Sequence, residues 1–341
     1  MRYFATFISG TQEIIKQILQ ERFADLEIVE LMDGAVEFET KTAYANLHLY
    51  CMNNIFLVLD KKKTRSTNAI EDLMRQTVMA PLDKRLIGGN STKMHTFRIV
   101  TSFENQLVSV NKTLKQKLEK VLAKLSKLQV EKSKSDVEFW FLFRSEGVCY
   151  FLKRLTKHTA YDKILAKGEL HPELAYMMCK LSQPKHTDVV LDPFCGSGAI
   201  PFQRCKKFPF SKILAFDVKK DAVATAKKKL KNCQNVSTLQ LDVENLLSKV
   251  EKASVDAIIT DPPWGVFEEL KGGVEKFYAA FIEKFKKVLK DGGHMIVLTA
   301  KKEEFTKILS THKNLKLLNV YNILVSGKKA AIYQIKKLAD E

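Results

Sequence analysis

From Asp188 onward the chain alternates short apolar runs, Asp188–Leu191, Lys212–Ala215, Ser237–Leu241 and Val255–Ile259, with stretches whose apolar residues recur every three or four positions. Short apolar runs between polar residues read as strands, and the 3.6-residue period reads as helix. Over Lys219–Lys231 the apolar stripe is Ala222, Val223, Ala226 and Leu230, while Lys219, Lys220, Lys227, Lys228 and Lys231 fall outside on what reads as a solvated face. A further amphipathic helix is expected from about Val274 to Leu289, stopped by Asp291, Gly292 and Gly293, and a strand at His294–Thr299. A helix at Lys301–Thr311 then leads to two strands, Leu315–Val325 and Ala330–Lys336. The turn between them, Ser326-Gly327-Lys328, makes the pair a hairpin, so the last strand should be antiparallel to its neighbours.

The first half has a different rhythm. Strand (Tyr3–Ile8), helix (Gln12–Arg22), strand (Leu26–Leu31), strand (Ala35–Glu39), helix (Ala43–Leu49) and strand (Ile55–Leu59) follow the β-α-β-β-α-β order of a ferredoxin-like unit. A second block holds a helix near Ile70–Val78, a strand at Thr96–Thr101, a long helix at Leu107–Leu128 and strands at Val137–Arg144 and Val148–Lys153. Leu114, Leu118, Val121, Leu125 and Leu128 form one stripe of the long helix, which core packing explains. Phe139–Phe143 and Cys149–Leu152 form a hairpin across Ser145-Glu146-Gly147.

At 341 residues the chain exceeds one typical domain, so the two halves are expected to be separate modules. Its formal net charge of +17 points to a polyanionic partner. The six cysteines, Cys51, Cys149, Cys179, Cys195, Cys205 and Cys233, show no C-x-x-C pair and no metal-ligand spacing; they read as reduced, mostly buried thiols of a cytoplasmic protein, with no metal expected. No apolar run approaches the roughly 20 residues that span a bilayer, and Met1–Ile8 reads as a strand rather than a signal peptide.

Candidate chemistry lies where the apolar runs end. Asp192 closes the first and is followed by Pro193, Phe194, Cys195, Gly196, Ser197, Gly198 and a helical pattern; strand, glycine turn and helix make a nucleotide-type cofactor loop. Asp217 follows the second strand, 19 residues beyond Gly198, at a spacing suited to a carboxylate accepting ribose hydroxyls. Asp242 follows the third and Asp261 the fourth. Four strands ending in aspartate suit an open α/β sheet, whose ligands sit at the carboxyl ends of the strands. The fourth runs into Asp261, Pro262, Pro263 and Trp264. An exocyclic base amine attacks a methyl sulfonium poorly until acceptors hold its N–H groups, and a carboxylate with a proline-fixed carbonyl provides two. Trp264 offers a flat face for an extruded base. Cys195 sits in the cofactor turn and the chain has no Pro-Cys dipeptide, so a cysteine nucleophile on a pyrimidine ring is disfavoured; the cysteine triplet of radical enzymes is absent too. Phe194 in place of the first glycine argues against a dehydrogenase loop.

Together these residues resemble the class I S-adenosylmethionine-dependent amino-methyltransferases over about Val189–Lys337. The resemblance implies a Rossmann-like seven-stranded α/β domain. It places Asp192, Phe194, Gly196 and Gly198 around the methionine and sulfonium, Asp217 with Val218 at the ribose, and Asp242 with the Val243 backbone at the adenine. Thr6–Glu13, Asp33–Phe38 with Ala43–Asn53, the hairpin Glu138–Arg154, and Gly168-Glu169-Leu170-His171-Pro172 extend it to THUMP-containing tRNA guanine N2-methyltransferases. The implied plan is an α/β protein with a ferredoxin-like domain (1–60), a THUMP RNA-binding domain (61–155), a linker helix and cofactor-side loop (156–184) and the methyltransferase domain (185–341). In that family the loop matching Leu170, His171 and Pro172 lies against the cofactor and THUMP grips the acceptor end of tRNA. The expected partner is therefore tRNA, met by a monomer, with no membrane and no metal, and Asp261, Pro262, Pro263 and Trp264 as the catalytic loop. Guanine enzymes more often carry Tyr at the Trp264 position, so adenine N6 in RNA or DNA stands as an alternative target; an RNA-binding protein with a vestigial cofactor fold is a second alternative.

Overall fold

The computed structural model of the protein describes residues 1–88, 94–156, 169–265, 270, 272–325 and 327–339. The chain forms two compact units, one of Met1–Thr6, Leu19–His48 and Met52–Lys163, the other of Phe7–Ile18, Leu49–Cys51 and Ile164–Glu341. Gly168 and Ser326, both used in the sequence reading, lie outside the described residues.

Residues 1–156 form β1 (Arg2–Thr6), α1 (Gln12–Arg22), β2 (Glu27–Met32), β3 (Ala35–Glu39), β4 (Asn54–Lys63), α2 (Ala69–Met79), α3 (Lys84–Ile87), β5 (Thr96–Phe103), β6 (Gln106–Leu107), α4 (Lys112–Ser126), β7 (Gln129–Val130), β8 (Val137–Arg144) and β9 (Val148–Arg154). All nine strands share one sheet in the order β2-β3-β1-β4-β9-β8-β5-β6, with β7 beside β5. Antiparallel β4–β9 pairing joins the strands of residues 2–63 to those of residues 96–154. One face packs against α2 and α4 through Leu73, Leu118, Phe139 and Phe151.

Two expectations fail locally here. The helix expected over Ala43–Leu49 is a single 3-10 turn, Tyr44–Asn46, because His48 takes a left-handed φ of 49° that no helix continues through. The long helix begins at Lys112 rather than Leu107, because Asn111 caps it with a side-chain oxygen on the Leu114 amide at 3.0 Å while Gln106–Leu107 pair with β5.

The second unit continues with α5 (Pro172–Leu181), β10 (Val189–Asp192), α6 (Ala199–Lys207), β11 (Lys212–Asp217), α7 (Lys220–Leu230), β12 (Val236–Gln240), β13 (Val255–Thr260), α8 (Val274–Val288), β14 (Leu289–Thr299), α9 (Lys302–Ser310), β15 (Leu315–Val325) and β16 (Lys328–Lys337). Seven strands run in the order β12-β11-β10-β13-β14-β16-β15. The first five are parallel and β16 is antiparallel to both neighbours, as the terminal hairpin required. The core on one side of this sheet is aromatic, with Tyr278, Phe281 and Phe285 of α8 buried beside Phe305 and Tyr333.

Asp291-Gly292-Gly293 is not a helix stop. The helix ends at Val288, and Leu289–Thr299 is one irregular strand whose pairing with β13 shifts register between Val255 and Ala257. Gly292 at φ 79° serves that irregularity rather than a C-cap. The expectation that all six cysteines are reduced is overturned as well: Cys205 and Cys233 form a disulfide, 28 residues apart, and the other four are free and buried. Packing of the C-terminal ends of α6 and α7 brings their Cα atoms to 6.1 Å, a proximity that no short spacing motif announces.

Candidate active site

Because β10, β11, β12 and β13 are parallel, their carboxyl ends open on one rim, and the four aspartates collect there. Asp192 and Asp217 are the last residues of their strands, Asp261 follows β13 directly, and Asp242 stands two residues beyond β12.

Asp192 is buried at 1% exposure. Its Oδ1 accepts from the Thr260 hydroxyl at 2.8 Å and the Phe194 amide at 3.3 Å, whereas Oδ2 has no hydrogen-bond partner among the described residues. Burial drives its pKa up to about 8, and the charges of Asp217 and Asp261 push the same way, against the Thr260 and Phe194 hydrogen bonds. A buried acceptor without a donor from the fold suits a cationic ligand group such as an ammonium or sulfonium.

Asp217 clamps the glycine turn. Its Oδ2 accepts from the Gly196 amide and its Oδ1 from the Lys219 amide, both at 2.9 Å, and the Cys195 amide reaches the Phe216 carbonyl at 2.8 Å. A methyl group on Gly196 would meet nothing within 4 Å, so its Cα side is open to a ligand; one on Gly198 would touch Ala226 at 3.2 Å, so that glycine packs α6 against α7. The Val218 carbonyl accepts from Gln240 at 3.0 Å, and Asp242 caps the short 3-10 helix Val243–Ser248 through the Glu244 amide, with Val243 buried beneath. Phe194 packs its ring edge-on into the α8 cluster, 5.5 Å from Phe281, with its backbone left at the Asp192 carboxylate.

His171 and Pro172 open α5, which lacks a side-chain cap. What ties this segment to the glycine turn is a contact that sequence reading missed: Glu169 Oε1 accepts from the Ser197 hydroxyl at 3.1 Å and the Lys229 ammonium at 2.5 Å. Ser197 and Glu169 sit in separate motifs and Lys229 in none, so only the fold could reveal their contact.

The Asp-Pro-Pro-Trp loop is held at both ends. The Trp264 indole N–H donates to Asp261 Oδ1 at 2.9 Å, so this side chain grips the carboxylate as well as presenting a ring. The Tyr278 hydroxyl, buried, donates to the Pro263 carbonyl at 3.3 Å and shares a 2.8 Å hydrogen bond with Thr299 at the end of β14. Burial pushes the Asp261 carboxyl up to about 7, with the indole hydrogen bond acting against it. Tyr278 also escaped the sequence reading, because an aromatic residue at helical spacing looks like core.

Residues 160–331 match the family described as UPF0020: RMKL-like, methyltransferase domain. The chain belongs to that family. Residues 160–331 are therefore an S-adenosylmethionine-dependent methyltransferase domain, in which the open Gly196 and Asp192 Oδ2, without a donor among the described residues, suit that cofactor. The chain is 32% identical over 186 residues to tRNA (guanine(6)-N(2))-methyltransferase THUMP3 of Mus musculus, covering 50% of this chain and 36% of the relative. It is 32% identical over 152 residues to the tRNA (guanine(10)-N2)-dimethyltransferase of Methanocaldococcus jannaschii, covering 42% of this chain and 41% of the relative. Thus the match spans well under half the length of either. Over nearly the whole length the fold is that of TrmN from Thermus thermophilus, with a TM-score of 0.78 at 19% identity and 99% of each chain covered. SMU.472, a putative methyltransferase solved with SAH, superposes with a TM-score of 0.72 at 14% identity over 100% of this chain and 99% of that one.

Proposed function

We propose that this chain methylates the exocyclic N2 amine of a guanosine in tRNA. The observation that carries the proposal is the half-buried Asp261 carboxylate, fixed by Trp264 on a double-proline loop one residue beyond the Thr260 that binds Asp192. The names of the mouse and archaeal relatives support guanine N2 as the target and tRNA as the carrier.

S-adenosylmethionine supplies an electrophilic methyl group on a positively charged sulfur. Asp192 and the Gly196 turn hold the cofactor, and Asp217 orders that turn through the Gly196 amide. Asp261, one oxygen of which is occupied by the indole, uses the other to accept an N–H of the guanine amine, and the Pro262 carbonyl accepts the second. These contacts align the nitrogen lone pair and stabilise the positive charge that develops on it. With a pKa near 7, Asp261 is also matched to take the proton that the methylated amine releases. Trp264 stacks on the extruded base with its edge fixed at Asp261. The first unit grips the acceptor end of the tRNA.

The test is nucleoside mass spectrometry of tRNA incubated with the full chain and S-adenosylmethionine. N2-methylguanosine is expected, and Asp261→Asn should abolish it while leaving cofactor affinity within about twofold. N6-methyladenosine in its place would move the target base to the alternative; no methylated nucleoside from a chain that binds the cofactor would overturn the proposal.

A further inference from the structure

The C-terminal ends of α6 and α7 carry positive charge that the transfer site does not use. Residues 199–233 hold ten lysines and arginines against two aspartates, close to half of the net charge of +17 in about a tenth of the length. Arg204 is buried on Asp188, and Lys229 pairs with Glu169. Lys206, Lys207, Lys212, Lys227, Lys228 and Lys231 are exposed, and among the described residues none pairs with a carboxylate.

These side chains converge on one surface. The Lys206 ammonium reaches the Asn232 carbonyl at 3.5 Å, and the Cys205–Cys233 disulfide staples the two helix ends together. Lys207 sits 3.5 Å from the ring centroid of Tyr50, which is 41% exposed. Tyr50 lies 5.8 Å from Tyr176, which lies 4.8 Å from Phe208, so lysine and aromatic side chains interleave. An open groove of about 480 Å³ that includes Lys212 is lined by Ser211, Lys212, Asn235, Val236 and Ser237, at the starts of β11 and β12. This is the end of the parallel strands opposite Asp192 and Asp261.

Helix dipoles account for part of the pattern, since a cation in a last turn is favoured by about 0.3–1 kcal/mol. They do not account for Lys212, which begins a strand, nor for a half-exposed tyrosine under an ammonium. Cationic side chains around an exposed ring are the chemistry that takes a polynucleotide: phosphates on the lysines, a base on the ring. We propose that this face is a second RNA-contact surface of the methyltransferase domain, with Lys207, Lys212, Lys228 and Lys231 on the backbone and Tyr50 under an unstacked base. The proposal rests on RNA being the substrate. At eleven residues α7 is about 16 Å long, so one RNA molecule can reach both this surface and the transfer rim.

The experiment reads binding separately from transfer. Full-length protein carrying Lys207→Glu, Lys228→Glu and Lys231→Glu together is titrated with tRNA, a single-stranded oligonucleotide and polyglutamate across a salt series. A loss of tRNA affinity of at least tenfold is expected, with a salt slope shallower by about 2–3, a raised KM for tRNA, and unchanged kcat, cofactor Kd and Tm. Tyr50→Leu should weaken the single-stranded oligonucleotide several-fold and leave polyglutamate alone. Unchanged tRNA affinity and slope in the folded triple variant would overturn the proposal, as would equal losses for RNA and polyglutamate with Tyr50→Leu silent on both. RNA binding lost in the triple variant, alongside a parent chain that methylates no guanosine, would sink the proposed reaction and keep the surface.

Discussion

Asp192→Asn should make the protein more stable and less able to bind its cofactor. Burial raises the carboxyl from its ordinary 3.8 to about 8. Between those pH values the unfolded chain is ionised and the folded one keeps its proton. The contribution of Asp192 to stability is therefore fully present below pH 3.8 and is lost as pH rises through about 8. At 1.36 kcal/mol per unit, the loss reaches about 4 kcal/mol at pH 7 and about 5–6 kcal/mol above pH 8. These are upper bounds, because relaxation of the pocket returns part of the cost. Asparagine matches the protonated acid in shape, keeps an oxygen for the Thr260 hydroxyl and the Phe194 amide, and has nothing to ionise. Its melting temperature should equal the parent's near pH 4 and exceed it by several degrees at pH 8. Cofactor binding should move the other way, weakening by about 1.5–3 kcal/mol with the loss of a charged acceptor, or roughly 10- to 150-fold. In the parent, a cation on Oδ2 draws off the proton, so affinity should fall about tenfold per unit below pH 8, with one proton released on binding. Scanning calorimetry from pH 4 to 9 and titration calorimetry in two buffers of different ionisation enthalpy read both effects. Comparing S-adenosylmethionine with S-adenosylhomocysteine, which lacks the charge on sulfur, separates a sulfonium contact from an ammonium contact. A variant that melts below the parent at pH 8, or a parent Kd flat from pH 6 to 8.5, would refute the reasoning.

Three other substitutions probe the loop and the glycine turn. Tyr278→Phe strands the Pro263 carbonyl and should cost about 1–2 kcal/mol of stability, with a lower kcat and an unchanged cofactor Kd; a normal kcat would show that the loop does not need this anchor. Trp264→Phe keeps a ring and removes the N–H that lowers the Asp261 pKa, so the pH midpoint of transfer should move above the parent value of about 7, and an unmoved midpoint would detach Asp261 from the rate. Gly198→Ala puts a side chain at φ 84° and 3.2 Å from Ala226, which should cost about 1–2 kcal/mol and weaken the cofactor through the displaced turn; a variant as stable as the parent would mean the backbone adjusts freely there.

What the sequence determined by itself is the part carried by short-range pattern. Four strands with aspartates at or just beyond their ends, the glycine turn, and the terminal hairpin were legible because strand length, turn chemistry and side-chain period are local properties. The Asp-Pro-Pro-Trp loop was legible because its residues are consecutive. Tertiary structure decided what depends on residues far apart in the chain meeting. The Thr260 hydroxyl reaches Asp192 across 68 positions, while the second oxygen of Asp192 has no donor among the described residues. Tyr278 reads as one more core aromatic until its hydroxyl is seen on Pro263, and Glu169, Ser197 and Lys229 share no motif. Cys205 and Cys233 read as separate thiols because a disulfide depends on close Cα approach with facing Cβ vectors, which the packing of α6 on α7 arranges and no spacing rule encodes. The helix expected at Ala43–Leu49 shows the same division from the other side. Its periodicity was real, but seven residues nucleate a helix poorly, and the left-handed turn at His48 prevailed over it.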